Sequence, residues 1–479
     1  MAQLYDTLLG EYIQKPGNKE LELELAEKYW NYQVFLDPQT ATNLQLPLGS
    51  DSAENICKYA GEHLYIISEL YERQKENDTI HDTILQTIEF PLISVLERME
   101  HTGIRVSEIL QEIGVFLADH IAEEEKKIYS LAGQEFNIQS PKQVGEYLFD
   151  VLKLPHGKKT KTGYSVDVEV LEYLAHSHPI ARHILTHRQY SKLLSTYVQL
   201  QRLIHPDTQT IHTSYKQAIT TTGRLSSTNP NLQNIPVGSG VAGKIREAFL
   251  PFHEDDMLIA FDYSQIEVRL LAIMSEDENL LSSFQAIDIH RATAELIFNT
   301  TDITSEQRRI AKTINFGVIY GISPFLAKQL GSSQKEAGEY IRLFYDRYKK
   351  VQTFFDTIIQ EGTKNGYVQT LFGRKRFLPH LSDSNATIKK AAQREAINMP
   401  IQSSADIIKI AMIRVDQFLQ EKHLKSQLLL QVHDELVLNV PKEEKEMISV
   451  EIPRIMENIL SPIPLKVDMG IGKNWRECK

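Results

Sequence analysis

Cysteine is almost missing from this chain of 479 residues: there are two, Cys57 and Cys478, far apart, and no Cys/His cluster has ligand spacing. That excludes a disulfide framework and a zinc ribbon and points to a reducing compartment. Long apolar runs are missing too. None reaches the roughly 18 residues of a membrane helix, and the opening MAQLYDTLLGEYIQ lacks a basic start followed by an apolar stretch. The chain is therefore expected to be soluble and intracellular, with no membrane partner. Repeats and low-complexity tracts are also absent, which removes solenoids and disordered linkers. What is present is 42% apolar residues over a length sufficient for about three domains.

A surplus of positive charge is lacking as well, since the net charge is −11. Its distribution matters more than its sum. Residues 1–100 hold 18 Asp+Glu and 7 Lys+Arg, so the remainder carries 45 of each sign. Within that neutral remainder, residues 301–350 hold 9 basic against 5 acidic side chains, and residues 361–400 hold 7 against 3. Basic surfaces on a neutral body suit contact with phosphates in one cleft, although solvated helix faces would have the same composition.

The first 85 residues or so are acidic and helix-like, with a second helical stretch from Ala60 to Glu76. From Val106 to Leu131, Ile109, Leu110, Ile113, Leu117 and Ile121 recur at helical spacing. The polar loop HGKKTKTG (His156 to Gly163) follows. Beyond Thr208 the pattern is mixed. MLIAFD (Met257 to Asp262) reads as a buried strand, and Gln427 to Val432 with Glu435 to Val440 as a hairpin turning at His433 and Asp434. Strands separated by a long helical insertion imply an α+β fold and not a doubly wound parallel sheet. GSGVAGKI (Gly238 to Ile245) has dinucleotide-binding glycine spacing, but Pro230 and Pro236 precede it where a strand is needed, so it reads as a flexible surface turn.

Asp262 and Asp434 each follow an apolar run, where packing gives a carboxylate no reason to be. If the strand and hairpin share a sheet, both acids project from one edge and could hold two divalent cations about 4 Å apart, as in-line phosphoryl transfer requires. Glu435 is an auxiliary acid on this reading; turn capping is the plainer account of any single Asp. The segment from Thr304 to Gly321 is more specific. Thr304 and Gln307 have capping-box spacing and Gly321 is a stop signal. Arg308, Lys312, Phe316 and Tyr320 follow at intervals of four and form one stripe. Two cations and then two aromatics suit a nucleoside triphosphate, with phosphates at the cationic end and sugar and base at the aromatic end.

Taken together, these residues resemble the family A DNA polymerases of the DNA polymerase I or Klenow-fragment type. The likeness lies in TTGRLSSTNPNLQNIP (Thr221 to Pro236), DYSQIEVR (Asp262 to Arg269), RRIAKTINFGVIYG (Arg308 to Gly321) and QVHDELV (Gln431 to Val437), in that order, with lesser matches at DIHRATA, GRKRFLP and REAINMPIQSSAD. The resemblance implies a right-hand polymerase: a palm with an antiparallel sheet, helical fingers and a helical thumb. The expected layout is a truncated exonuclease-like region at 1–85, thumb with a leading palm segment at 86–204, palm at 205–285, fingers at 286–392 and palm again at 393–479.

The implied function is template-directed addition of dNTPs to a primer 3′-OH by two-metal-ion nucleotidyl transfer, in DNA replication or repair. Asp262, Asp434, Glu435 and Lys312 would be catalytic. Asp262, Asp434 and the Tyr263 carbonyl would hold two Mg²⁺ ions, with Mn²⁺ as a substitute. Arg308, Lys312, Phe316, Tyr320, His290, Glu267 and Gln265 would bind the dNTP, Glu267 as a steric gate against ribose. Arg224, Asn231, Gln233, Arg394, Asn398, Gln402 and His433 would follow the DNA minor groove, testing pair geometry through acceptors common to all pairs. Arg188, Lys192, Lys158, Lys159 and Lys161 would grip duplex phosphates. The expected partners are primer-template DNA and dNTP, the expected state a monomer, and the expected place the nucleoid-associated cytoplasm, with phage or organellar origin left open.

Two departures from the family pattern stand out: Gly238 where many relatives have Arg, and Gln402-Ser403-Ser404 in place of QGT. YAGEH (Tyr59 to His63) resembles the last exonuclease motif, with His63 where a metal-binding Asp belongs. The preceding acidic motifs would lie before Met1, so no proofreading is expected. A phage-type RNA polymerase would share the palm acids but not Glu267 or the TGRLSSTNPNLQNIP block. A catalytically silent DNA binder would have no need of clustered acids near a polyanion.

Overall fold

The computed structural model describes residues 5–17, 20, 22–32, 50–155, 159–160, 163–238, 240–284, 288–319, 321, 330, 333–460 and 465–479. Strands β1 (Met257–Tyr263), β2 (Gln427–Val432), β3 (Glu435–Val440) and β4 (Val467–Gly472) form an antiparallel sheet in the spatial order β2, β3, β1, β4. The strand and the hairpin expected from the apolar runs are thus neighbours. In the β1–β3 pairing Asp262 lies opposite Glu435 and Ala260 opposite Val437.

These strands are apolar on both sides because both sides are covered. Ile259, Phe261, Leu436, Leu438 and Val440 pack against the helices Phe90–Thr102, Ser403–Glu421 and Lys445–Glu457. Leu258, Ala260 and Val437 pack the other way, against Val106, Leu110, Ile113, Leu117 and Trp475. Each buried Val, Leu, Ile or Phe among them stabilises the fold by about 1.5–3 kcal/mol, and the alternation fixes the register that carries Asp262 and Glu435 to one end.

The pattern from Val106 divides. Ile104–Val106 is a strand, Val106 pairing with Phe249, and the helix starts at Ile109 and runs to Ala132. It packs beside Pro179–Thr196, with Glu124 bonded to His183 at 2.7 Å and His187 to Glu125 at 3.1 Å. Between β1 and β2 lies the helical insertion, in which Ile314, Val318, Phe344, Tyr348 and Val351 share a core. The helix Thr7–Gln14 is capped by Asp6 and is tied to the body by Tyr12, whose buried hydroxyl donates to the Thr220 carbonyl at 2.8 Å.

The glycine segment is not a free turn. Val241–Lys244 is a short helix continuing as a 3₁₀ turn, with Gly243, Ile245 and Arg246 buried. A β-carbon on Gly243 would lie 2.0 Å from the Gly238 carbonyl oxygen, so close packing accounts for that glycine.

Candidate active site

β1 ends at Asp262 and Tyr263, and the hairpin between β2 and β3 turns beside it, with His433 in the left-handed region at φ 56°. The Tyr263 amide donates to the Asp434 carbonyl at 3.1 Å, which fastens the hairpin turn to the end of β1. Asp262, Asp434 and Glu435 therefore gather at one end of the sheet. Burial pushes the Asp434 carboxyl up to about 6; Arg224 opposes this, and Glu267 and Asp262 add to it. Glu435 is 2% exposed and both its oxygens are engaged, one by the Trp475 indole N–H at 2.9 Å and the other by the Lys479 ammonium at 2.7 Å.

The basic stripe faces these acids. Its helix, Ser305–Ile319, opens with the reciprocal bonds of a capping box: the Gln307 amide donates to the Thr304 hydroxyl at 3.2 Å and the Thr304 amide to the Gln307 side chain at 2.9 Å. Gly321 has φ 70°, and a β-carbon there would lie 2.6 Å from Arg394. Arg308, Lys312 and Phe316 line a cavity of about 450 Å³ together with Asp434, Tyr263, Gln265, Glu267, His290, Arg224 and His433. Tyr320 lies outside the described residues.

Asp288 caps the helix Ile289–Phe298 and pairs with Arg308. Burial raises the Asp288 carboxyl, but the bonds from Arg308 and from the His290 amide outweigh it and leave it below the usual carboxylate range. His290 is buried, and burial, with Arg308 and Lys312 close by, brings it down to about 4 against the pull of Asp288. It is a neutral imidazole near pH 7. Its Nδ1 lies 2.9 Å from the Asn315 amide nitrogen and accepts from it, which leaves the proton on Nε2. Glu267, buried, receives Arg224 at 2.8 Å.

A region of this chain, residues 107–477, matches the family model described as DNA polymerase family A. The chain belongs to DNA polymerase family A. Relatives named DNA polymerase I include those of Geobacillus stearothermophilus, 42% identical over 99% of this chain and 56% of that protein, and Streptococcus pneumoniae serotype 4, 46% identical over 100% of this chain and 56% of that one. The chain thus spans about half the length of the curated relatives it matches. A solved structure, the POL domain of Pol1 from M. smegmatis in complex with DNA primer-template and dNTP, is 35% identical and superposes with a TM-score of 0.89, covering 99% of this chain and 82% of that one.

The residues this family member was expected to use for DNA are more scattered. Asn231 and Arg394 are exposed, and Gln402 is buried. Gln233 is buried between the Ser227 amide, at 3.2 Å, and the Gln431 side chain, at 2.8 Å. Arg188 donates to the Val166 carbonyl at 2.5 Å, while Lys192 is exposed. Lys158 and Lys161 lie outside the described residues, as does the side chain of Lys159. Of the departures, Ser403 has a structural place: its hydroxyl donates to the Pro400 carbonyl at 2.5 Å and accepts from the Leu371 amide at 2.8 Å.

Among the described residues no three His, Cys, Asp or Glu side chains converge into a closed metal cage. Asp262, Asp434 and the Tyr263 carbonyl nonetheless fit Mg²⁺, which is commonly held by one or two carboxylates with substrate phosphates and water completing its shell. Lys479, Trp475 and Asp288 escaped the sequence reading. Only Asp288 had a local signal, an Asp directly before a helical run; the other two reach the site through the pairing of β4 with β1.

Proposed function

We propose that this chain is a template-directed DNA polymerase of the DNA polymerase I type, adding dNTPs to a primer 3′-OH in DNA replication or repair, as a monomer and without proofreading. The observation that carries the reading is the cavity in which Asp434 and the end of β1 face Arg308, Lys312 and Phe316. In this reading the central sheet belongs to the palm, the helical insertion to the fingers and the paired helices Ile109–Ala132 and Pro179–Thr196 to the thumb.

Asp262, Asp434 and the Tyr263 carbonyl would hold two divalent cations, whose chemistry is to lower the pKa of the attacking hydroxyl and offset charge on the leaving pyrophosphate. Arg308 and Lys312 bind the triphosphate, Arg308 braced by Asp288. His290 donates from Nε2 without adding charge. Phe316 receives the sugar, and Glu267, braced by Arg224, occupies the space of a ribose 2′-OH. Asn398 is half-buried and Gln402 buried, and the side-chain oxygens of both have no hydrogen-bond partner among the described residues. His63 at the metal-binding position of the exonuclease-like motif supports a scaffolding role for residues 1–85, as does the anchoring of Tyr12 to Thr220.

The test is extension of a labelled primer on a DNA template with Mg²⁺, with dNTPs and rNTPs supplied separately and one arm carrying a 3′ mismatch. Extension with dNTPs alone and no trimming of the mismatch is the expected result. Trimming would overturn the loss of proofreading, and absence of extension despite tight DNA binding would overturn the polymerase reading.

A further inference from the structure

The Lys479 ammonium lies 3.0 Å from Asp262 Oδ2 and 2.7 Å from Glu435 Oε2. It follows the 3₁₀ turn Trp475–Cys478, whose Trp475 is fully buried beneath the Arg246 guanidinium at 3.9 Å and holds the other oxygen of Glu435. This anchoring sets the root of Lys479 firmly, while its long side chain remains 31% exposed and free to swing outward. Three acids, Asp262, Asp434 and Glu435, meet at this end of the sheet; of the cations that line the cavity, Arg224 is paired with Glu267 and Arg308 with Asp288.

We propose that Lys479 is a resident counter-cation of the catalytic acids: it occupies Asp262 and Glu435 in the metal-free enzyme and is displaced from Asp262 when a divalent cation binds, so that it sets the affinity for metal. The inference rests on the reading of Asp262 as a cation ligand. The ammonium and the metal claim the same carboxylate, and two cations on one carboxyl group repel strongly at such distances. The metal-free acids are meanwhile kept from repelling one another, so the site stays assembled between catalytic cycles.

The test is binding of Mn²⁺ to the protein alone, read from the free-ion electron paramagnetic resonance signal, with no turnover. Lys479→Met should tighten Mn²⁺ binding by about fivefold, the size expected when a partly exposed ion pair no longer competes. Lys479→Arg should stay within about twofold of the parent because the competing charge is retained. Lys466→Met, at an exposed lysine near the same end of the sheet, controls for net charge, and equal tightening there would overturn the proposal. So would unchanged or weaker binding in Lys479→Met, the latter marking the ammonium as a group that positions Asp262 for the metal. Asp262→Ala separates the two levels. If it removes the Mn²⁺ site while Lys479→Met gives no tightening, the proposal alone fails; if it leaves Mn²⁺ binding intact, the metal reading of Asp262 fails and the proposal with it. Circular dichroism melts verify folding, and Lys479→Gln replaces Lys479→Met should that variant unfold.

Discussion

The acids at the end of the central sheet and those around Arg374 are both drawn from distant parts of the chain, but only the second set is neutralised by its own surroundings. Glu89 and Asp406 meet Arg374 and Lys409, all at most 1% exposed: Arg374 reaches Glu89 at 2.5 Å and Asp406 at 2.8 Å, and Lys409 reaches Glu89 at 2.7 Å. Thr370 and Gln217 satisfy further carboxylate oxygens, each at 2.7 Å. Two acids and two bases close on themselves. Among the described residues, one ammonium, that of Lys479, contacts Asp262 and Glu435, and Asp434 lines an open cavity. Buried charge that is balanced from within builds architecture, whereas charge left in excess at a cavity has to be completed by a ligand.

The sharpest way to break this contrast is to remove one acid from the open set. Asp262→Ala or Asp434→Ala should lower kcat by more than about a thousandfold while primer-template binding and the melting temperature stay near those of the parent; joint loss of activity and stability would make these acids architectural. The closed set should respond in the reverse sense. Arg374→Met leaves Glu89 and Asp406 buried with one cation between them and should cost about 3–5 kcal/mol in urea denaturation, with synthesis per folded molecule unchanged. A stability loss under about 1 kcal/mol would show that the cluster relaxes or admits water.

How far the sequence could be read follows from this division. Met257 to Asp262 and the hairpin from Gln427 to Val440 were legible almost to the residue, because strands covered on both faces must be apolar throughout. The capping box at Thr304 and the stripe of Arg308, Lys312 and Phe316 were legible because helical spacing is local. What could not be read depends on partners far away in the chain. Arg374 counts among the basic residues of 361–400, yet it is buried beside Glu89, 285 positions away. Arg188 donates to the Val166 carbonyl, a bond between two segments that no local pattern announces. Lys479 gives no local sign of lying beside Asp262, 217 positions away. Composition counts such charges, but only the fold decides which of them face a ligand.

Glu267 lies between the two classes, since it is buried and paired with Arg224 yet lines the cavity. If it is a wall of the sugar site, Glu267→Ala should lower discrimination of dNTP over rNTP by about tenfold to a hundredfold, measured as the ratio of kcat/KM values, with dNTP incorporation affected less. If its main part is to hold Arg224, Glu267→Gln should weaken primer-template binding and leave sugar discrimination unchanged.

The smallest expected effect is one of sign. Burial disfavours the ionised form of Glu89, but Lys409 and Arg374 outweigh it and bring the carboxyl down to about 2. The ionised form is therefore favoured by folding, and this stabilisation is complete above about pH 4.5 and lost as the pH falls toward 2. Asp434 is raised to about 6. Between its ordinary value near 4 and that value the folded chain holds a proton that the unfolded chain has released, so this group destabilises the fold increasingly as the pH rises through the window. In the presence of a chelator, Asp434→Asn should thus be more stable than the parent at pH 7.5 by about 1 kcal/mol, after allowance for the solvent that still reaches this partly buried site. The difference should close toward pH 4. Glu89→Gln should instead be less stable than the parent at neutral pH, with a flatter acid limb. Melting temperatures of the three proteins across pH 3 to 8 read both slopes, and parallel curves for Asp434→Asn and the parent would mean that Asp434 is as well solvated in the folded chain as in the unfolded one.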